Sequence, residues 1–213
     1  KAILLSCGSF NPPTIGHLRM MEMVRETLSS HSSPFVVVEG IFSPVSSAYV
    51  HKSLEADEHR LTMLQKATSS RGWMRVDEWE MKIGEWMETI EVLLHHRKEG
   101  RLRWRDENLD CFFVCGDDLV DSFSDLLPDG SRLWEEKDVK EIVEEFGIVV
   151  YNRRCSSPFE TLSRLGLSLE KSDQTFPHQM SSTLLRRAVA EGSSIRYCTP
   201  DEVIDYIEEK GLY

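Results

Sequence analysis

The stretch Gly8-Ser9-Phe10-Asn11-Pro12-Pro13-Thr14-Ile15-Gly16-His17 decides the fold, because it joins an apolar run, Ala2-Ile3-Leu4-Leu5, to an amphipathic segment through a turn suited to phosphate. Gly8 has no Cβ, so backbone there can approach a ligand closely. The Asn-Pro-Pro run fixes a non-helical course before a helix starts. Thr14 is an N-cap candidate, and His17 falls in the first turn, where unpaired N–H groups and the helix dipole attract anions. The stretch therefore reads as a cationic side chain aimed at an anion site. A TxxH taken alone would be an ordinary capped turn with a surface histidine.

Outward from this stretch, short apolar runs alternate with helical patterns, which predicts an α/β fold, a doubly wound parallel sheet of Rossmann-like type. The expected strands are Ala2 to Ser6, Phe35 to Ile41, Met74 to Val76, Cys111 to Cys115 and Gly147 to Tyr151, with a weaker one near Leu167 to Leu169. The helix after the first turn places Leu18, Met21, Val24 and Leu28 on one side, and another from about Gly84 to Lys98 places Trp86, Ile90, Leu93, Leu94 and Arg97 along a stripe. Further helices are expected at Ala56 to Thr68, Lys137 to Phe146, Ser182 to Glu191 and Asp201 to Lys210, the last closing the core with Val203, Ile204 and Ile207. Gly100 to Asn108, Ser122 to Ser131 and Cys155 to Pro177 read as loops. With 213 residues and no linker or repeat, a single domain over 1–213 is expected.

Composition narrows the function. The formal charge of −11 excludes a general nucleic-acid binder, which needs a basic surface, so any nucleotide must meet a local cluster. Lys52, Arg153, Arg154, Arg186 and Arg187 are the candidates. No run approaches the roughly 20 apolar residues of a membrane span, and no secretory leader is visible. Five cysteines, an odd number, with Cys7, Cys111 and Cys115 in or beside strand-like runs, point to core thiols in a reducing, intracellular compartment, cytoplasmic or nuclear with mitochondrial left open. Zinc at Cys111-x3-Cys115 with His95-His96 is the weaker alternative, because no second pair has ligand spacing.

Two motifs in order carry a resemblance. GSFNPPTIGH resembles the GSFNP and (H/T)xxH signature of the nucleotidylyltransferase superfamily, specifically its nicotinamide or nicotinic acid mononucleotide adenylyltransferases of eukaryotic type, and Met180-Ser181-Ser182-Thr183-Leu184-Leu185-Arg186 resembles their ISSTxxR element. The resemblance covers nearly all of the chain, is vague from Cys155 to Gln179, and lacks the long basic insertion of some animal members. It implies ATP contacts at Gly8, Ser9, Phe10, Thr14, His17, Lys52, Gly116, Asp118, Ser181, Ser182, Thr183 and Arg186, with His17 and Arg186 catalytic. For the mononucleotide it implies Gly8, Ser9, Phe10, Tyr49, Lys52, Trp86, Thr89, Gly116, Asp118, Leu133, Trp134 and Arg153. Within these, Gly116-Asp117-Asp118 matches a GxD element for the adenosine ribose, with a helix cap as the plain alternative for Asp118. Trp79 to Trp86 matches a WExxxxxxW element whose second indole stacks on the pyridine, whereas on pattern alone Trp86 reads as core. Ser43 to Lys52 resembles SPVxxAYxKK, departing at His51, a partly charged group at neutrality where the family carries lysine. Leu133-Trp134 matches the family's LW pair, and Ser194-Ile195-Arg196-Tyr197 its SIRY, assigned to packing.

The implied reaction transfers AMP from ATP to the 5′-phosphate of nicotinamide mononucleotide, and of its nicotinic acid counterpart, releasing pyrophosphate in NAD biosynthesis. The nucleophile is already anionic, so catalysis rests on in-line placement and charge stabilisation. Mg2+ is expected on ATP phosphates and water, with no protein ligand. No nucleic-acid or membrane partner is expected, and a homo-oligomer is. Two alternatives stand beside this: another small-molecule nucleotidylyltransferase, and a chaperone-like nucleotide-binding protein of low turnover. The scheme requires His17 and Arg186 to converge on one polyphosphate.

Overall fold

The computed structural model describes residues 1–29, 34–49, 53–70, 72–127, 129–151, 162 and 180–213. Five strands, β1 (Ala2–Gly8), β2 (Val37–Pro44), β3 (Met74–Val76), β4 (Asp110–Gly116) and β5 (Ile148–Tyr151), form one parallel sheet in the order β3-β2-β1-β4-β5. The registers pair Leu5 with Phe113, Gly40 with Met74 and Val114 with Val149. A central strand covered on both faces cannot tolerate alternate polar positions. Accordingly Ala2 to Ser6 are all buried in β1, and Val37 and residues 39 to 44 in β2.

The helices are α1 (Ile15–Leu28), α2 (Asp57–Thr68), α3 (Trp79–Ile83), α4 (Thr89–Trp104), α5 (Asp117–Asp121), α6 (Glu136–Glu141), α7 (Ser182–Ala190) and α8 (Asp201–Lys210), with a 3-10 turn over Ser122–Ser124 and a π turn over Ile142–Phe146. The α/β expectation holds, and each of the five stronger strands appears within a few residues of its expected bounds. The weaker one near Leu167 to Leu169 lies outside the described residues.

Two helical expectations need correction. The single helix from Gly84 to Lys98 is instead α3, a left-handed turn at Gly84, and α4 starting only at Thr89. Trp86 therefore stands in the connection, not on a core stripe. Gly100 does not end α4, which runs on to Trp104 through part of the segment expected to be a loop. A Cβ at Gly100 would sit 2.9 Å from Ile3, so this glycine marks a close helix–strand approach. The helix stops at Arg105, a left-handed residue whose N–H bonds back to Arg101 and Leu102.

The chain gathers into two compact units, one of Lys1–Leu5, Met23–Val38 and Glu88–Gln179, the other of Ser6–Glu22, Glu39–Met87 and Met180–Tyr213. In the first, α4 lies against β4 and α6, and the Arg97 guanidinium stacks 4.0 Å from the Phe146 ring centre. Cys111 and Cys115 are buried within β4, consistent with core thiols. In the second, α2 packs on α8. Met63 and Ala67 of α2 meet Val203 and Ile207, spaced four apart on α8, together with Leu185 of α7. These apolar contacts fix the C-terminal helices beside α2.

Candidate active site

The turn between β1 and α1 is a reciprocal cap. Thr14 precedes the helix, its Oγ1 accepts from the His17 N–H at 3.4 Å, and His17 Nδ1 accepts from the Thr14 N–H at 2.9 Å. This is the capping-box arrangement with imidazole in the place of glutamate. An Nδ1 that accepts a backbone N–H leaves the ring proton on Nε2. The imidazole is thereby held through Nδ1 at a helix N-terminus, with its Nε2 edge as the donor side in this arrangement.

Gly8 has a neighbour on its Cβ side. A Cβ there would meet the Phe10 ring at 3.3 Å, so the room is taken by Phe10 itself. That ring is buried, edge-on to His17 at 5.2 Å and to Phe42 at 5.4 Å. Phe10 adopts a left-handed backbone (φ 45), which brings its ring beneath the turn. Its side chain orients the imidazole, and only its main chain is left to meet a ligand.

The ISSTxxR-like segment is bound to this same turn. Ser181 caps α7 by accepting from Leu184 N–H at 3.3 Å, and Ser182 Oγ donates to Pro12 O at 2.7 Å. Arg186 Nη1 donates to Asn11 O at 2.7 Å, and its Nη2 lies 3.4 Å from Thr183 Oγ1. Thr199 Oγ1 adds a bond to Pro13 O at 2.8 Å, and Ile15 N–H one to Cys198 O at 2.9 Å. Two segments 170 residues apart in sequence are thereby locked, with His17 and Arg186 fixed to one loop. Ser182 is a fastener here, its hydroxyl spent on the loop's carbonyl.

The strongest anchor was not visible in the sequence. The Arg60 side chain is fully buried and donates to Ser9 O (2.9 Å), Val45 O (2.6 Å), Glu55 O (3.0 Å) and the Asp57 carboxylate. Val45 N–H in turn donates to Gly8 O at 3.0 Å. One guanidinium thus ties the turn after β1 to the loop after β2. Burial pushes its pKa down, and the Asp57 charge pulls it back up.

That second loop leads to Tyr49, whose ring centre lies 6.3 Å from that of Trp86, tilted by 36°. Trp86 is 45 % exposed, open to a flat ligand rather than sealed in core. Glu80 of α3 is buried and accepts from Ser43 Oγ at 2.9 Å. Burial raises the Glu80 carboxyl to about 7, against the partial offset of Ser43 and Arg60. Lys52, His51, Arg153 and Arg154 lie outside the described residues.

In the other unit, Gly116 occupies the N-cap position of α5 and Asp118 is its exposed second residue, so Asp118 does not cap. Its N–H instead bonds Asp117 Oδ1 at 3.0 Å, and Asp117 is the buried one. Trp134 Nε1 donates to Ser122 Oγ at 3.1 Å, with its ring 4.9 Å from Phe123, while Leu133 N–H bonds Asp125 O. Thr89 is the first residue of α4. Burial pushes the Cys111 thiol up to about 12, the behaviour of a core group. Among the described residues, no group of three or more His, Cys, Asp or Glu is placed to hold a metal ion, and no helix is long and apolar enough to cross a membrane.

Known proteins resemble this chain in sequence and in fold. Residues 5–188 match the cytidylyltransferase-like family. The chain is 42 % identical to nicotinamide/nicotinic acid mononucleotide adenylyltransferase 2 of Caenorhabditis elegans, over all of this chain and 98 % of that one. It is 35 % identical to the nicotinamide/nicotinic acid mononucleotide adenylyltransferase of Arabidopsis thaliana, over 99 % of this chain and 89 % of the relative. The fold matches the Plasmodium falciparum nicotinic acid mononucleotide adenylyltransferase solved with NaAD, at a TM-score of 0.69 and 21 % identity, covering all of this chain and 97 % of that one.

Proposed function

The chain belongs to the nicotinamide/nicotinic acid mononucleotide adenylyltransferase family, and we propose that it transfers AMP from MgATP to a pyridine mononucleotide in NAD biosynthesis. An oxygen of the mononucleotide 5′-phosphate attacks the α-phosphorus, a new P–O–P bridge forms, the bond from the α-phosphorus to the β-bridging oxygen breaks, and pyrophosphate leaves. No proton need be taken from the nucleophile, because it is already an anion.

The observation that supports this reading best is the reciprocal cap, which presents His17 Nε2–H from a helix N-terminus. A donor held in place stabilises charge as it develops on an α- or β-phosphate oxygen, without reorganising in the transition state. Arg186, fixed to Asn11 O, and the amides at the start of α7 receive the β- and γ-phosphates. Gly8 and Ser9 contribute main-chain contacts to both substrates. The metal travels with ATP on phosphate oxygens and water, a fit to a loop that offers amides, hydroxyls and imidazole rather than carboxylates.

For the acceptor, the exposed Trp86 face stacks on the pyridine beside Tyr49 and Thr89, and Lys52 and Arg153 meet phosphate. Gly116 and Asp118 hold the adenosine ribose, and Leu133 and Trp134 line the dinucleotide. Residues 1–213 act as one catalytic domain, in an intracellular homo-oligomer. Pyrophosphate release with ATP and each of the amide and acid mononucleotides tests the reaction. Equal release with phosphopantetheine, or none with either pyridine acceptor, refutes it.

A further inference from the structure

Asn11 sits at the centre of the phosphate turn, yet its side chain faces away from any substrate role. It is 2 % exposed, and its Oδ1 accepts from the Tyr213 hydroxyl at 2.7 Å and more weakly from the Glu55 N–H at 3.4 Å. Its own main-chain carbonyl is the acceptor for Arg186 Nη1. Asn11 therefore joins the catalytic arginine to a residue 202 positions away.

Tyr213 is delivered there by the end of α8. Gly211 takes a left-handed φ of 61, its N–H bonds Glu208 O at 3.3 Å, and the Leu212 N–H bonds Ile207 O at 3.1 Å. This paired pattern closes the helix and reverses the chain, with Leu212 turned into the same core as Ile207 and Met63. Only a residue without Cβ takes that backbone freely. The reversal brings the phenol ring back over the turn, where burial raises its pKa above the ordinary 10 and keeps the hydroxyl protonated as a donor.

We infer that Tyr213 is a positioning residue for the phosphate turn, its hydroxyl holding Asn11 so that the Asn11 carbonyl in turn fixes the Arg186 guanidinium for the polyphosphate. The inference rests on the reading of this turn as the ATP phosphate site. A core residue that merely completed α8 would need its ring and not its oxygen. Here the oxygen has a single short bond to the turn, made to the residue whose carbonyl receives Arg186 and next to the one whose carbonyl receives Ser182.

Tyr213→Phe removes that oxygen and keeps the ring. Steady-state pyrophosphate release is expected to show the ATP KM raised about three- to tenfold, the worth of one hydrogen bond, with the mononucleotide KM within about twofold. Asn11→Ala should raise the ATP KM as well, and the double variant should be no worse than the more damaged single one, because Tyr213 acts through Asn11. An unchanged ATP KM, both KM values rising together, or effects that multiply in the double variant would each overturn the assignment. His17→Ala run alongside separates the two levels. Normal turnover in that variant removes the phosphate-site reading, whereas an inactive His17→Ala beside a parent-like Tyr213→Phe removes only the role of Tyr213.

Discussion

Replacing Glu80 by Gln should make the protein more stable, and increasingly so as pH rises. The carboxyl is buried with Ser43 Oγ as donor, and burial raises it from an ordinary 4.5 to about 7. The folded state thus holds the proton more tightly than the unfolded chain. Stability from this group is complete below pH 4.5, where both states are protonated, and is lost as pH climbs through 7. At about 1.4 kcal/mol per tenfold in proton affinity, the separation amounts to about 3–4 kcal/mol above neutrality, of which about 2–3 falls between pH 5 and 8. Glutamine keeps an acceptor for Ser43 and has no charge to bury. Urea unfolding of parent and Glu80→Gln at pH 5, 6, 7 and 8 measures the difference directly. A gap between them that stays constant within about 0.5 kcal/mol across that range would show that the carboxyl titrates as an exposed one, and the argument from burial would be wrong.

Three further outcomes follow from the site. His17→Ala should lower kcat about a hundredfold or more with its unfolding midpoint little changed, the usual scale for one donor to a developing oxyanion; near-normal turnover excludes the role. Trp86→Ala should raise the mononucleotide KM about tenfold with the ATP KM unaffected, since an exposed indole loses stacking and little packing, and equal shifts would indicate a general defect. Arg60→Met, which leaves three part-buried carbonyls and Asp57 without the guanidinium, should cost about 3–5 kcal/mol in urea unfolding. A loss below about 1 kcal/mol would mean that the loops after β1 and β2 do not depend on it.

The strands were legible because a sheet covered on both faces writes itself as unbroken apolar runs, as in Ala2 to Leu5 and Phe112 to Val114. The turn at Gly8 to His17 was legible as a whole but not in its internal contacts. Gly8 was read for close backbone approach, and no local pattern announces that the Phe10 ring, on a left-handed backbone, lies against its Cβ side. Gly100 looked like punctuation because only Ile3, distant in sequence, explains it. Arg60 was illegible for a related reason. An arginine on a polar helix reads as solvated, and nothing nearby says that the carbonyls of Ser9 and Val45 will meet it. Asp117 and Asp118 show the limit of a motif, since neighbouring identical residues divide into one buried and one exposed only once α5 has its phase.

The buried thiol of β4 has a practical corollary. Buried in the core with its pKa pushed up to about 12, Cys111 presents almost no thiolate near neutrality, and maleimides will pass it by. Cys198 is partly exposed, and its carbonyl receives the Ile15 N–H at the threshold of α1. With Cys7 and Cys155 changed to serine, a fluorophore on Cys198 becomes a reporter beside the phosphate turn, reading nucleotide arrival in real time without touching a residue that the chemistry uses.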